Sequence, residues 1–208
     1  MTRVKICGIT RAEDADLSVE LGAWALGFIL WAPSPRACDP AVAAGIAQRL
    51  RRKALTVGVF VDPTLDEVAH AVENLGLAAV QLHGSVGAAF CHEVHRRTAA
   101  PVIRAFKVAN NADVQAADAY REVDYHLYDS QTIGGTGEAW DWSLTRGRRS
   151  HVPLILSGGL TAENVADGIA ATEPFAVDVA SGTELEPGVK DPAKLQAFID
   201  AAAMVTAG

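Results

Sequence analysis

The chain has 208 residues, of which 50% are hydrophobic and 21% are charged, and its net charge is −7. This length is enough for a large core, and the acidic balance argues against nucleic acid or an anionic membrane surface as the partner. Three cysteines, Cys7, Cys38 and Cys91, form no CxxC pair, which excludes a disulfide framework or a zinc site and favours a reducing, cytoplasmic compartment.

Strand and helix signals alternate along the whole chain. The predicted strands cover residues 4–7, 24–30, 55–61, 78–82, 101–107, 125–129, 152–156 and 175–179. Most of them are short, nearly continuous apolar runs, which are typical of a parallel sheet covered by helices on its outer face. No run is long and apolar enough to predict a membrane span or a secretion signal.

Capping residues and apolar stripes mark the helices between these strands. The sequence predicts a capping box formed by Thr10 and Glu13 before helix 12–21, and another formed by Thr64 and Glu67 before helix 65–75. Further helices are predicted after Asp39-Pro40, after Asn110, from Thr161 and after Asp191-Pro192. Another is predicted after His83-Gly84 and ends at about residue 98. A weakly marked helix follows the loop 130–141.

Eight strand–helix units without a linker between them predict a single (β/α)8 TIM barrel over residues 1–208. In such a barrel the ligand site lies at the carboxyl ends of the strands. A chemically active protein should therefore carry reactive side chains at these ends, whereas a purely structural barrel should carry apolar ones.

Four strand ends carry reactive groups. Cys7 ends the first strand, His83 follows the fourth, Asp129 ends the sixth and Asp178 lies in the eighth. Each residue alone has an ordinary explanation, since free cysteines are commonly buried as small hydrophobes. Together on one rim they indicate a site, because polar groups of this kind avoid burial unless they are used or partnered. Gln81 shares the strand face of His83 and is placed in the same candidate site.

Glycine-containing segments follow the last strands and predict an anion site. The candidate phosphate-binding residues are Gly135, Gly158, Gly159, Ser181 and Gly182. Loops after the seventh and eighth strands bind phosphate in many barrels through backbone N–H groups and a helix N-terminus. Neither a Walker motif nor GxGxxG is present, so a small phosphate ester is expected and not a nucleotide.

Arg36 lies in the proline-containing loop after the second strand. Its guanidinium suits a carboxylate or a phosphate, although a surface arginine is an equally good interpretation of this residue alone. The remaining histidines show no ligand spacing, and no metal site is assigned.

At this point the motifs resemble one family. They are Lys5-Ile6-Cys7-Gly8-Ile9-Thr10, Pro33-Ser34-Pro35-Arg36, Gly58-Val59-Phe60-Val61, Gln81-Leu82-His83-Gly84, Asp129-Ser130, Gly134-Gly135-Thr136-Gly137 before Asp141-Trp142, Ser157-Gly158-Gly159-Leu160, and Ala176-Val177-Asp178-Val179 before Ser181-Gly182. In this order, and over the whole length, the chain resembles the phosphoribosylanthranilate isomerases of tryptophan biosynthesis.

The resemblance implies an Amadori rearrangement of N-(5-phosphoribosyl)anthranilate without any cofactor. It implies Cys7 as the general base and Asp129 as the general acid. It also implies that Arg36 holds the anthranilate carboxylate or the neighbouring ribose, and that His83 and Asp178 position the sugar. The expected partner is thus a phosphorylated small molecule, and the chain is expected to be a monomer or a homodimer.

A free thiol and a free aspartate both titrate far from neutrality, so each needs a shifted pKa. We hypothesise that Lys5, on the strand face of Cys7, lowers the pKa of the thiol, and that burial raises the pKa of Asp129. The alternatives are an isomerase of a related phosphorylated aminoaldose, a cysteine hydrolase in which His83 activates Cys7, and a phosphate-binding barrel without catalysis.

Overall fold

The computed structural model describes residues 2–130 and 140–205. Eight strands pair side by side in parallel and close into a barrel, in which β8 pairs with β1. The strands are β1 (Arg3–Cys7), β2 (Ala25–Ile29), β3 (Leu55–Val61), β4 (Ala79–His83), β5 (Val102–Val108), β6 (Tyr125–Ser130), β7 (Leu154–Leu156) and β8 (Ala176–Val179). The predicted (β/α)8 barrel is confirmed, and each predicted strand is present to within two residues at either end.

Helices on the outside of the barrel connect most of these strands. They are α1 (Ala12–Glu20), α2 (Pro40–Leu50), α3 (Leu65–Leu75), α4 (Ala88–Thr98), α5 (Asn111–Ala117), α6 (Val165–Thr172) and α7 (Pro192–Met204). Between β6 and β7 the weak signal corresponds to a 3-10 helix, Trp142–Gly147. None of the helices within the described ranges is long and apolar enough to cross a membrane.

Most helix starts follow the predicted capping chemistry. Thr64 forms the capping box with Glu67, and α3 ends at Gly76 with a φ of 65°. The Asp39 and Asp191 side chains accept hydrogen bonds from the first turns of α2 and α7, each of which has a proline at its first position. Asn110 caps α5. Local sequence signals therefore determine where these four helices begin.

The capping box predicted at Thr10 is wrong. The N-cap of α1 is Arg11, which makes no side-chain capping bond, and the Thr10 hydroxyl instead donates a hydrogen bond to the carbonyl oxygen of Gly188. A contact far along the chain thus takes the hydroxyl that the local pattern assigns to the helix. Within α1, Asp14 accepts two hydrogen bonds from the Arg11 guanidinium.

The predicted start of α6 at Thr161 is also wrong by about one turn. Asn164 accepts a hydrogen bond from the Thr161 amide at 2.9 Å and donates one to the Gly159 carbonyl at 2.9 Å. These two bonds hold the segment in a turn, so the helix begins only at Val165. Asn164 therefore anchors the backbone that follows β7, next to the predicted phosphate loop.

The interior of the barrel is apolar along its axis and polar toward the carboxyl ends of the strands. Small and medium apolar side chains fill its axis, namely Ala25, Val57, Val59, Ala79, Ile103, Ala105, Leu127, Ile155 and Ala176. Lys5 and Cys7 point into this interior, whereas Val4 and Ile6 pack outward against the helices. The predicted alternation of the two faces of β1 is thereby confirmed.

A short antiparallel hairpin follows β8, where the sequence predicts only a loop. It consists of β9 (Glu184–Glu186) and β10 (Val189–Lys190), and a 3-10 turn, Ser181–Thr183, precedes it. Its turn lies against Thr10 through the Gly188 carbonyl. Lys190 of the hairpin contacts the carbonyl oxygens of Cys7 and Ala180, so the hairpin lies against the carboxyl ends of β1 and β8.

Candidate active site

A cavity of about 180 Å³ opens at the carboxyl ends of the strands. All eighteen of its lining residues come from seven of the eight strands or the loops that follow them, and among them are Cys7, Arg36, Gln81, His83, Asp129, Ser157, Gly158, Gly159, Asp178 and Ser181. The structure thus brings together the thiol, the imidazole and the two carboxylates that the strand ends predict. Gly135 lies outside the described residues.

A buried ion pair lies beside this cavity, which its member Asp178 lines. The Lys5 ammonium donates a hydrogen bond of 2.6 Å to Asp178 Oδ1, and Asp178 Oδ2 accepts one of 3.2 Å from the Ser157 hydroxyl. Lys5 and Asp178 face each other across neighbouring strands β1 and β8. A charge buried this deeply requires a partner of opposite sign: burial alone would lower the pKa of Lys5, and the Asp178 carboxylate beside it contributes to raising that pKa above its ordinary value.

Burial has the largest effect on the pKa of the Cys7 thiol. Burial raises its pKa above the ordinary value of 9.0, Asp178 raises it further, and the ammonium groups of Lys5 and Lys190 oppose this rise. Lys5 thus acts in the hypothesised direction, but burial outweighs it and the thiol is neutral at pH 7 before substrate binds. Any thiolate of Cys7 would therefore form within the cavity, next to fixed positive charges.

The Asp129 carboxyl has a raised pKa as well. Burial, followed by the negative charge of Asp178, raises the pKa of Asp129 to about 6, against the opposing effects of the Ser130 amide, Lys107 and Lys5. Its Oδ1 accepts a hydrogen bond of 2.8 Å from the Ser130 amide. This environment agrees with the hypothesis that burial favours the protonated form, which a general acid requires.

Gln81 and His83 form one wall of the cavity. The Gln81 amide nitrogen and His83 Nε2 lie 2.8 Å apart. Burial, with contributions from Lys5, Arg104 and Lys107, lowers the pKa of His83 to about 3, so the imidazole is neutral at pH 7. Gln81 Oε1 is buried and has no hydrogen-bond partner within the described ranges. This wall therefore offers an uncharged acceptor and a neutral ring to a ligand.

Arg36 lies at the cavity wall and is held by a residue that sequence reasoning missed. Its Nε lies 2.9 Å from both carboxylate oxygens of Glu184, and its Nη2 lies 2.8 Å from Oε2. Glu184 stands in a segment without any pattern that predicts this partner. Of the guanidinium nitrogens, Nη1 has no hydrogen bond to the described residues, so one side of the fork is available to an anion.

The two predicted phosphate loops touch each other. Gly158 and Gly159 adopt positive φ values of 89° and 69°, and a Cβ on Gly158 would lie 2.4 Å from the Ser130 amide nitrogen. A Cβ on Gly182 would lie 2.1 Å from the Leu160 carbonyl oxygen. Glycine is thus required at Gly158 and Gly182 for close backbone approach, and the loops after β7 and β8 form one surface.

The absence of a side chain at Gly27 leaves room for the Cys7 thiol, and the sequence alone does not predict this role of Gly27. It pairs with Cys7 in the sheet, and a Cβ there would lie 2.8 Å from Cys7 Sγ and 3.1 Å from Lys5 Nζ. We expect Gly27→Ala to displace the thiol and to lower kcat by about 10- to 100-fold. Overpacking should also cost about 1–3 kcal/mol of unfolding free energy. Steady-state kinetics and urea unfolding measure the two effects.

The matched control is Gly45→Ala, since a Cβ on Gly45 in α2 would meet nothing within 4 Å. In a helix this change should raise the unfolding free energy by about 0.5–1 kcal/mol and leave kcat unchanged. Equal kcat values for the two variants would contradict the assigned role of Gly27.

Comparisons with known proteins agree with this geometry. Residues 4–201 match the family model described as N-(5'-phosphoribosyl)anthranilate (PRA) isomerase. The N-(5'-phosphoribosyl)anthranilate isomerase of Pseudomonas fluorescens is 46% identical over 203 residues, which are 96% of this chain and 97% of that protein. The enzyme of the same name from a Geobacter species is 43% identical over 201 residues, 96% of this chain and 97% of that protein.

Solved structures agree as well. The phosphoribosyl anthranilate isomerase of Thermotoga maritima superposes with a TM-score of 0.91 at 41% identity, over 99% of this chain and 100% of that one. A phosphoribosyl anthranilate isomerase in complex with reduced 1-(o-carboxyphenylamino)-1-deoxyribulose 5-phosphate has a TM-score of 0.87 at 40% identity, over 99% and 100% of the two chains. This chain belongs to the N-(5'-phosphoribosyl)anthranilate isomerase family.

Proposed function

We propose that this chain catalyses the Amadori rearrangement of N-(5-phosphoribosyl)anthranilate to 1-(2-carboxyphenylamino)-1-deoxyribulose 5-phosphate in tryptophan biosynthesis. The observation that carries the proposal is that the Cys7 thiol and the Asp129 carboxyl line one cavity at the top of the barrel. An acid and a base facing one ligand are what this isomerisation requires. Membership of the family supports the assignment.

The proposed chemistry needs one acid and one base. Asp129, in its protonated form, donates a proton to the furanose ring oxygen, so that the ring opens and the substrate nitrogen becomes an iminium. Cys7 then removes the C2′ proton, which the iminium has made acidic. The resulting enolamine tautomerises to the ketone. The electron pair moves onto the substrate's own nitrogen, and we therefore propose a reaction without a cofactor.

Binding is assigned to the rest of the cavity. The joined loops that contain Gly158, Gly159 and Ser181 offer backbone N–H groups to the phosphate. Arg36 offers its unused Nη1 to the anthranilate carboxylate. The sugar hydroxyls are assigned to Gln81 Oε1, His83 and Asp178, because these groups present hydrogen-bonding atoms to the cavity that the acid and the base also line.

The decisive test follows anthranilate fluorescence after addition of N-(5-phosphoribosyl)anthranilate. Loss of the substrate signal with the native protein supports the isomerase, whereas no turnover by folded protein overturns it. In that case other phosphorylated aminoaldoses would be screened. The hydrolase alternative needs His83 to activate Cys7, yet no hydrogen bond joins these two side chains within the part of the chain that the structure describes.

Lys5 should control the ionisation of Cys7. We expect Lys5→Met to raise the pKa of the thiol by about one unit or more, because an adjacent positive charge is removed from a buried site. The rate of iodoacetamide alkylation against pH measures it, with the Cys7 peptide resolved from those of Cys38 and Cys91 by mass.

The control is the double variant Lys5→Met/Asp178→Asn. It removes the carboxylate that Lys5→Met leaves without its partner, and that carboxylate would itself raise the thiol pKa. An unchanged pKa in both variants would contradict the assigned effect of Lys5.

The proposal includes a cytoplasmic location and a monomer or homodimer. All three cysteines are free and buried, which suits a reducing compartment. The Thermotoga maritima relative has been crystallised as monomers generated from its dimer. Light scattering on this chain measures its assembly state directly.

A further inference from the structure

Lys190 is a buried charge that the proposed chemistry does not use. It lies in β10 with 2% of its surface exposed, and nothing in its local sequence predicts burial. Its ammonium lies 2.7 Å from the Cys7 carbonyl oxygen, 3.0 Å from the Ala180 carbonyl oxygen and 3.3 Å from Glu184 Oε1. One side chain therefore contacts the last residue of β1, the residue that follows β8, and the hairpin.

The three acceptors indicate the charged form of Lys190. A protonated amine has three N–H donors, whereas a neutral amine has two. The Lys190 nitrogen contacts three acceptors, one of which is a carboxylate, so each N–H of the protonated amine has a hydrogen-bond partner. Burial lowers the pKa of Lys190, and Glu184 followed by Cys7 opposes that effect.

The hairpin that carries Lys190 is itself fixed to the start of the chain. The Lys190 amide donates a hydrogen bond of 3.1 Å to Asp14 in α1, and the Gly188 carbonyl accepts one from Thr10. Glu184 accepts a hydrogen bond from the Gly188 amide and holds Arg36. The position of the ammonium is thus determined from several sides, as a positioning group requires.

We propose that Lys190 is a positioning residue for Cys7: by binding the carbonyl oxygens of Cys7 and Ala180, its ammonium fixes the thiol relative to the phosphate loop that begins at Ser181. The inference rests on the proposed function, since it assigns Cys7 as the base. In this arrangement Lys190 bridges the ends of the paired strands β1 and β8, and so fixes the thiol relative to the loop proposed to bind the phosphate. A small misplacement of a reacting group is costly for the rate.

The same ammonium acts on the thiol electrostatically. The charged groups that influence Cys7 are Lys5 on its own strand, Asp178 on β8 and Lys190 on β10. Lys190 lowers the pKa of Cys7, as Lys5 does, and Asp178 raises it. Removing the ammonium should therefore make the thiolate harder to form, in addition to loosening the two strand ends.

The test compares Lys190→Met with Lys194→Met. Lys194 donates a hydrogen bond of 2.8 Å to the Glu184 carbonyl but is exposed and makes no contact with Cys7, so its variant removes the same charge from the same region. For Lys190→Met we expect the midpoint of Cys7 alkylation to rise by about half a pH unit or more, and kcat to fall by about tenfold with less than about threefold change in KM. For Lys194→Met we expect neither change.

A merely structural role would lower the melting temperature of Lys190→Met and leave both the midpoint and kcat at their native values, which would overturn the proposal. If Lys190→Met does not fold, Lys190→Arg decides the question. The arginine keeps the charge but not the three-acceptor geometry, so kcat should fall while the midpoint stays near the native value. A native kcat in folded Lys190→Arg would then overturn it.

The alkylation midpoint requires no substrate turnover. Native protein without isomerase activity, combined with a raised midpoint in Lys190→Met, would reject the proposed reaction while retaining the contact between Lys190 and Cys7. An active native protein with unchanged values in Lys190→Met would reject the positioning role alone.

Discussion

Cys7→Ser should lower kcat by about 10³-fold, because a positioned general base contributes about 10²–10⁴-fold and a serine hydroxyl is far too weak an acid to ionise in this cavity. The change conserves the size of the side chain, so the 6% exposed thiol is replaced with little repacking. The fluorescence assay measures the loss directly. The matched control is Cys91→Ser, which removes an equally buried thiol from α4 and should leave kcat within about twofold.

The pH dependence should identify the base independently. The pKa of Asp129 is about 6 and that of Cys7 lies above 9.0, so protonated Asp129 and ionised Cys7 coexist in at most about one molecule in 10³. The native kcat/KM should therefore rise to about pH 6, level off, and fall only above the raised pKa of Cys7. In Cys7→Ser the rising limb should vanish, and the residual rate should fall as Asp129 ionises. A residual profile that still rises with pH would contradict the role of Cys7.

The fold could be predicted from the sequence because its signals are local and repeated. Apolar strands, capping residues such as Thr64 and Asn110, and the proline after Asp39 each specify one boundary without reference to the rest of the chain. The same locality explains the error at Thr10. The Thr10 hydroxyl could cap α1 or bind the Gly188 carbonyl oxygen. It binds Gly188, which lies 178 positions away in the sequence, so local sequence alone cannot predict the outcome.

The reactive groups of the site could be predicted from strand phase, whereas their supports could not. Strand alternation places Cys7, His83 and Asp129 on the inner face, which needs no knowledge of contacts. Glu184 and Lys190 lie in a hairpin that has no periodic signal, and Gly27 matters through the volume that it leaves to Cys7. Trp140 likewise fixes the phosphate loop by donating a hydrogen bond of 2.9 Å to the Ser157 carbonyl. These roles depend on packing between distant segments.

Asp129→Asn should abolish most activity and at the same time stabilise the protein at alkaline pH. The amide is nearly isosteric but cannot donate a proton to the ring oxygen, so kcat should fall by about 10²–10⁴-fold. The residual rate should keep rising beyond pH 6, up to the pKa of Cys7, because the titration of Asp129 has been removed. The same fluorescence assay across pH measures both effects, and a plateau retained above pH 6 would contradict the assignment of Asp129.

The stability effect has a sign fixed by the direction of the pKa shift. The pKa of Asp129 is raised from 3.8 to about 6 on folding, so its protonated form stabilises the native state fully below pH 3.8. That contribution is lost as the pH rises through 6. A shift of about two units corresponds to about 3 kcal/mol, and partial exposure reduces this to about 2 kcal/mol. Relative to the native protein, Asp129→Asn should therefore gain about 2 kcal/mol of unfolding free energy between pH 4 and pH 8.

Asp141→Asn provides a control with the opposite sign. The exposed Asp141 carboxylate caps the 3-10 helix through the Ser143 amide, and hydrogen bonds from Ser143 lower the pKa of Asp141. This carboxylate stabilises the native state above its unfolded pKa, and the contribution is lost as the pH falls through the folded value. Asp141→Asn should therefore show no gain in unfolding free energy at pH 8 relative to the native protein. Urea unfolding of both variants at pH 4.5 and pH 8 separates the cases, because removing a carboxyl group raises the unfolding free energy at alkaline pH only where folding raises its pKa.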